Sequence, residues 1–419
     1  MYDILYQYNL DFSTWVYLSS LLIVTLYFKF NSLWRFRNLD VLLLVAVSPG
    51  VLMIREGGAE PAGYVWLFAV GLLFLVRLLL DSAMIRRPLL EPNLNTSGLT
   101  FLGTALLVFL ISQVATRAGP RQTGSQPPRP LPEGRFPLLD PLVDSQAEVA
   151  RRDESRPDAA VPTTDGLEVT GRTLAIVSQF LIVIGLVLAG QRHFGNVGTG
   201  IGMATLYLLF PPTALLVGRA DHALPAACLL WAVVSYRFPL LAGLWLGAAG
   251  GLIYYPLLLL PLWAAFYWER GLIRILIGTA IGSVVIIAVG AGLVGFGAYA
   301  QSVGQAFGLD GSTPETGLWG TVFDPVYRLP VEVAYVVMCG SFALWPPRKN
   351  LGTLMSCSAA VLLGTQLWQP HGGGTYIGWY LPILLLTVFR PNLEERVALT
   401  SLRLGGKAAS RPVAARQPA

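Results

Sequence analysis

Long apolar runs separated by short polar turns dominate the chain, and they recur at the spacing a bilayer imposes. A helix needs roughly 17 to 25 predominantly apolar residues to cross the hydrocarbon core. Runs of that kind, some of them shorter, fall at 12–30, 38–54, 63–85, 98–116, 173–190, 197–217, 223–236, 239–254, 256–268, 272–296, 329–346, 351–368 and 374–389. The pattern predicts an all-α fold, a polytopic transmembrane helical bundle of about 13 spans. One joint has two readings: 239–268 is either two short spans or a single broken helix, and the second would reverse the parity of one half.

Charge then orients the bundle. Alternate turns carry Lys29, Arg35, Arg37, Arg86, Arg87, Arg192, Arg237, Arg270, Arg274, Arg348 and Lys349, followed by the tail residues Arg390, Arg396, Arg403, Lys407, Arg411 and Arg416. The other short turns keep only Arg55, Arg219 and Arg328. Basic residues accumulate on the cytoplasmic side, so the expectation is a multi-pass protein of the cell (inner) membrane with its N-terminus extracytoplasmic and its C-terminus cytoplasmic. Asp3 and Asp11 precede the first apolar run and no basic residue does, which argues against a cleavable signal peptide.

A polar segment, 117–172, divides the chain. It is rich in proline and carries eight arginines against nine acidic residues. With too little apolar surface to bury, it is expected to be a disordered extracytoplasmic loop, a linker or else a lid or docking segment. The organisation is then a four-helix membrane part (1–116), the loop (117–172), a nine-helix membrane part (173–390) and a basic cytoplasmic tail (391–419).

Composition agrees with this picture and narrows the function classes. The 419 residues are 54% hydrophobic and 13% charged, with a mean hydropathy of +0.59, too apolar for a soluble globular domain. The net charge of +5 is spread over turns as topology requires, so it signals membrane lipids rather than nucleic acid as the partner. Cys228, Cys339 and Cys357 all lie in apolar runs and behave as small buried hydrophobes. Their spacing gives neither a disulfide framework nor a metal site, and no cofactor motif accompanies them.

Within the spans, Gly243, Gly247 and Gly251 recur every fourth position and predict close helix packing. Pro49, Pro211, Pro212, Pro256, Pro261 and Pro382 predict kinks or breaks, which a cavity or neighbouring protein must satisfy. Arg77 and Asp81 share one helix face. They read as a structural ion pair with Arg77 snorkelling to the interface, or as a lipid-phosphate or substrate site. His193, in the turn QRHFGN, reads as a solvated loop residue.

The chemistry-bearing residues cluster on the predicted outer side. Glu56 and Glu60 follow the second run, Arg219, Asp221 and His222 the sixth, and Asp310, Glu315, Asp324 and Arg328 the tenth, while His371 precedes the last. A carboxylate near an imidazole makes a general base, and an arginine at the lipid boundary makes a phosphate clamp. Outer loops also need polar residues for solubility, so both readings stand. The 297–328 loop carries Tyr299, Phe307, Trp319, Phe323 and Tyr327, suited either to interfacial anchoring or to stacking on a sugar ring. The stretch WQPHGGGTYIGWYLP (368–382) is either a flexible hairpin or the rim of a site.

One stretch resembles a known group. The run PPTALLVGRADHALPAACLLWAVVSYRFPLLAGLWLGAAGGLIYYPLLLLP, together with Asp324, Pro325 and HGGGTYIGWYLP, is similar to the middle and end of GT-C-type glycosyltransferases that use polyprenyl-phosphate sugars. The resemblance covers about residues 196–390. It implies a GT-C-like fold and a polyprenyl-phosphate sugar donor. It also implies catalytic work by Asp221, Asp324, Glu56 or Glu60, with Arg219, His222, Arg328 and His371 binding substrate. The chain departs from that group where an acidic pair is usual in the first outer loop, since REGGAEPAG offers Glu56 and Glu60. It departs again where a lysine is usual before the proline of the aliphatic run, since Tyr254 and Tyr255 stand there. A non-catalytic membrane scaffold or assembly protein is the alternative, and a transporter a further one that scarce mid-membrane charge disfavours.

Overall fold

The computed structural model describes residues 12–31, 33, 36–56, 59–83, 90–116, 139, 165–306, 317–347 and 349–391. Every predicted apolar run is helical, and no strand occurs among the described residues. The helices are α1 (Phe12–Tyr27), α2 (Phe36–Glu56), α3 (Glu60–Leu79), α4 (Thr96–Thr116), α5 (Asp165–Ala189), α6 (Val197–Leu209), α7 (Pro211–Leu216) and α8 (Ala220–Val234). They continue with α9 (Pro239–Ile253), α10 (Leu260–Phe266), α11 (Leu272–Val294), α12 (Phe296–Ala306), α13 (Arg328–Leu344), α14 (Leu351–Trp368) and α15 (Ile377–Phe389). Seven helical stretches are long and apolar enough to cross a membrane, and six apolar helices are shorter. Helix α5 begins at Asp165, inside the segment read from sequence as loop; the rest of that segment, apart from Leu139, lies outside the described residues, as do Asp310, Glu315 and Phe307.

The helix starts follow local rules. Pro61, Pro211 and Pro239 sit in first turns, where the missing N–H costs nothing. Asn196 Oδ1 accepts from Thr199 N at the start of α6. A reciprocal pair, in which Asn350 Oδ1 accepts from Thr353 N and Thr353 Oγ1 accepts from Asn350 N, opens α14. Helix α14 is apolar around its whole circumference and every one of its residues is buried, which makes it the axis of the bundle. It packs on α3, α13 and α15.

Helices α9 and α11 form the tightest seam. A methyl group at Gly243, Gly247, Gly278 or Gly282 would collide with the carbonyl oxygen of Ile275, Thr279, Leu240 or Leu244 respectively, so the two backbones touch through glycines contributed by both sides. Ser283 Oγ closes the seam by donating to Gly247 O at 3.1 Å. Beyond α9 the chain turns back on itself. Tyr254 adopts φ +62°, rare for a non-glycine residue, and Tyr255–Leu259 forms a 3-10 turn ahead of α10. At the end of α10 the Tyr267 hydroxyl donates to Tyr236 O, beside the start of α9. The 239–268 segment is therefore two antiparallel elements rather than one broken helix.

One end of the bundle, here the basic end, gathers the turns after α1, α3, α5, α8, α10, α13 and α15. Lys29, Arg37, Arg192, Arg237, Arg270, Arg274, Lys349 and Arg390 lie there, while Arg55, Arg219 and Arg328 lie at the opposite, far end. Two expectations change here. His193 is not solvated: a five-residue π turn, Gly190–Phe194, folds it inward, where it is 2% exposed, bonds Val234 O at 3.0 Å and meets Tyr236 edge to face. Arg77 does not snorkel to the interface. Its Nε and Nη2 hold both oxygens of Asp40 at 2.7 and 2.8 Å, and its Nη1 holds Asp81 Oδ1 at 2.9 Å. The second oxygen of Asp81 is taken by Arg390. Two carboxylates and two guanidiniums thus form a buried, charge-balanced chain from α2 through α3 to the end of α15.

Candidate functional site

The far end holds the sequence-predicted site residues, in three groups. The first is Arg219, Asp221 and His222 at the start of α8. The Arg219 Nε and Nη2 bond Asp221 Oδ1 and Oδ2 at 2.9 and 2.7 Å, a two-pronged pair that neutralises the carboxylate in a position only 4% exposed. His222, also buried, places Nε2 at 3.6 Å from Asp221 Oδ2, a charge contact rather than a hydrogen bond. Its ring stacks on Tyr376 with centroids 5.4 Å apart, Tyr376 stacks on Trp379 at 4.3 Å, and the Trp379 indole donates to the main-chain carbonyl of Asp221 at 3.0 Å. Contacts continue from Trp379 to Tyr255, Trp368 and Tyr335, an aromatic ladder that binds α8, α15, α14 and α13 together.

The second group is the glycine loop between α14 and α15. Gly372 and Gly374 adopt φ of +60° and +95°, which other residues enter only with strain. The side-chain Oε1 of Gln366, on α14, accepts from Gly374 N and Tyr376 N, both at 3.2 Å, and Thr375 Oγ1 donates to Gly372 O at 2.6 Å, so this hairpin is pinned from α14 and from within. The loop presents His371, half-buried. Burial, and then the charge of Arg328, hold its imidazole below the usual histidine range, so it is neutral at pH 7 and accepts a proton only at more acidic pH. Arg328 opens α13, is 9% exposed, and places its charge within electrostatic reach of Tyr255 as well.

Glu60 forms the third group, at the start of α3. One helical turn on, Tyr64 lies against Gly317, which in turn abuts Gly372. Glu60 thus lies at the same end of the bundle as the His371 loop and Arg328. The other two candidates are placed differently. Asp324 is exposed and its Oδ1 accepts from Val326 N at 3.0 Å, capping a short 3-10 turn. Glu56 is exposed at the end of α2.

The loop before α13 has two of its aromatics buried, Tyr299 and Trp319, and two exposed, Phe323 and Tyr327. Tyr299 is buried and donates to Gly251 O at 3.0 Å, and Trp319 is buried edge-on to Phe68. A cavity of about 20 Å³ lies beneath it, lined by Leu67, Phe68, Phe74, Leu318, Gln366 and Gly374. It is far below the several hundred Å³ that a sugar or drug-sized ligand occupies. Among the described residues no cluster of three or more His, Cys, Asp or Glu is placed to hold a metal ion.

The sequence pattern singled out neither Gln366 nor Tyr64 as part of this end, and named Trp379 only within the stretch 368–382. Only the three-residue spacing of Tyr376 and Trp379 at a helix start offered a signal; Gln366 inside an apolar run offered none.

In comparisons with known proteins, no family model, no curated protein and no solved structure matches the chain. Among the described residues the fold is all-helical, with seven helices long and apolar enough to cross a membrane, as in an integral membrane protein.

Proposed function

We propose that this is a multi-pass membrane enzyme of the GT-C-like kind, in which the far end faces the extracytoplasmic space and transfers a sugar from a polyprenyl-phosphate donor to an acceptor there. The observation that carries the reading is that His371 lies within electrostatic reach of Arg328, with Glu60 at the same end of the bundle, the end with few basic residues. In the reaction an acceptor hydroxyl forms a bond to the anomeric carbon while the bond from that carbon to the lipid-phosphate oxygen breaks. Glu60 takes the hydroxyl proton, Arg328 carries the charge of the departing lipid phosphate, and His371 bonds a sugar hydroxyl. Asp221, already neutralised by Arg219, and His222 then position the glycine loop through Tyr376 and Trp379.

With full-length protein in vesicles and a polyprenyl-phosphate sugar, Glu60→Gln is expected to lower the transfer rate by roughly 100-fold or more, and Arg328→Ala to weaken donor binding. Transfer by Glu60→Gln at the wild-type rate would sink this assignment. The orientation has its own check. The native cysteines are buried, so a cysteine at exposed Val326 should label only from outside and one at exposed Glu269 only from the cytoplasm. The reverse pattern would invert the topology.

A scaffold or assembly role is the second reading, and the locked Arg219–Asp221 pair together with the small cavities favours it. A correctly folded protein inactive with every polyprenyl-phosphate sugar offered would select it.

A further inference from the structure

A second, smaller cavity lies between α5, α6, α7, α8 and α15, with a volume of about 10 Å³. Its walls include Gln179, Tyr207, Thr213, His222, Ala223 and Gly378. Two buried polar atoms of these walls, Thr213 Oγ1 and His222 Nδ1, have no hydrogen-bond partner among the described residues, although Thr213 is 5% and His222 2% exposed. Their neighbours differ. Tyr207 donates to Gln179 Oε1 at 2.7 Å, and Gln179 donates onward to Val217 O at 3.4 Å, so that pair is already satisfied.

Leaving a buried hydroxyl and a ring nitrogen both unpaired costs about 1–3 kcal/mol each. The cavity volume is that of about one water molecule. A completely apolar void of this size would stay dry, but this one is lined by a residue with an unpartnered hydroxyl and one with an unpartnered ring nitrogen. His222 turns Nε2 toward Asp221 Oδ2 at 3.6 Å, and in the tautomer with its proton on that side, beside the carboxylate, Nδ1 is an acceptor.

We infer that this cavity is a binding site for a single internal water, which donates to His222 Nδ1 and accepts from Thr213 Oγ1. The water extends the polar chain Arg219–Asp221–His222 from the far end into the bundle, and it ties α7 to α8. The site stands apart from glycosyl transfer and holds whether or not the protein is an enzyme.

The sign of one substitution tests it. Thr213→Val keeps the shape and removes the hydroxyl. If Oγ1 bonds a water, the purified full chain in detergent should melt lower by roughly 2 °C or more, with Thr213→Ser close to wild type. If Oγ1 is unsatisfied, Thr213→Val should melt at the same temperature or higher, and the inference fails. An experimental density map that shows ordered waters elsewhere in the bundle should show a peak between Thr213 and His222. An empty cavity in such a map would overturn the site even if Thr213→Val destabilises.

Discussion

Gly247→Leu is expected to yield no folded protein. The Thr279 carbonyl already occupies the space of a Cβ at this position, and the glycines of α11 press on α9 in the same way, so neither helix can yield without opening the whole seam. Overpacking a core commonly costs 1–3 kcal/mol, but here the clash is with backbone along a full interface, and a loss of more than about 3 kcal/mol follows. Leu241→Ala on the exposed face of the same helix should stay within about 0.5 kcal/mol of wild type. Size-exclusion profiles and melting curves of detergent extracts read both variants. A monodisperse Gly247→Leu protein with wild-type melting would refute the close seam.

Asp81→Ala should be nearly as damaging. It strands Arg390 without its carboxylate and deprives Arg77 of one of its two, in positions 8% and 7% exposed. Breaking a buried charge network by removing one partner typically costs about 3–5 kcal/mol. The double variant Asp81→Ala/Arg390→Ala removes the stranded charge together with its partner, and should recover part of that loss. If the double variant is less stable than Asp81→Ala by the full cost of a second independent mutation, Arg390 and Asp81 are not coupled.

The apolar pattern made the helices legible because helix length and composition in a membrane are set by the bilayer itself. The glycine repeat in α9 was legible for a similar reason: spacing four places small residues on one face whatever the partner. What could not be read was pairing over distance. Arg77 showed its neighbour Asp81, yet Asp40 and Arg390 come to it only through the fold. His193 looked solvated because nothing local marks a π turn, and Tyr254 gave no sign that it would take a positive φ and reverse the chain. At the candidate site, residue types and the shared end of the bundle were readable, whereas their grouping was not. Asp221 and Asp324 carry the same chemistry in sequence, but one is consumed by Arg219 and the other by the backbone it caps. Tyr64, one turn on from Glu60, meets Gly317, and Gly317 meets Gly372, only through the fold.

The ion chain has a consequence for how the protein is made. Asp81 and Arg390 are 309 residues apart, so the ribosome delivers the carboxylate long before its second cation. Throughout that interval the ion chain of Asp40, Arg77 and Asp81 lacks its last cation. The ion chain is therefore complete only once α15 has been made, with Arg390 at its end.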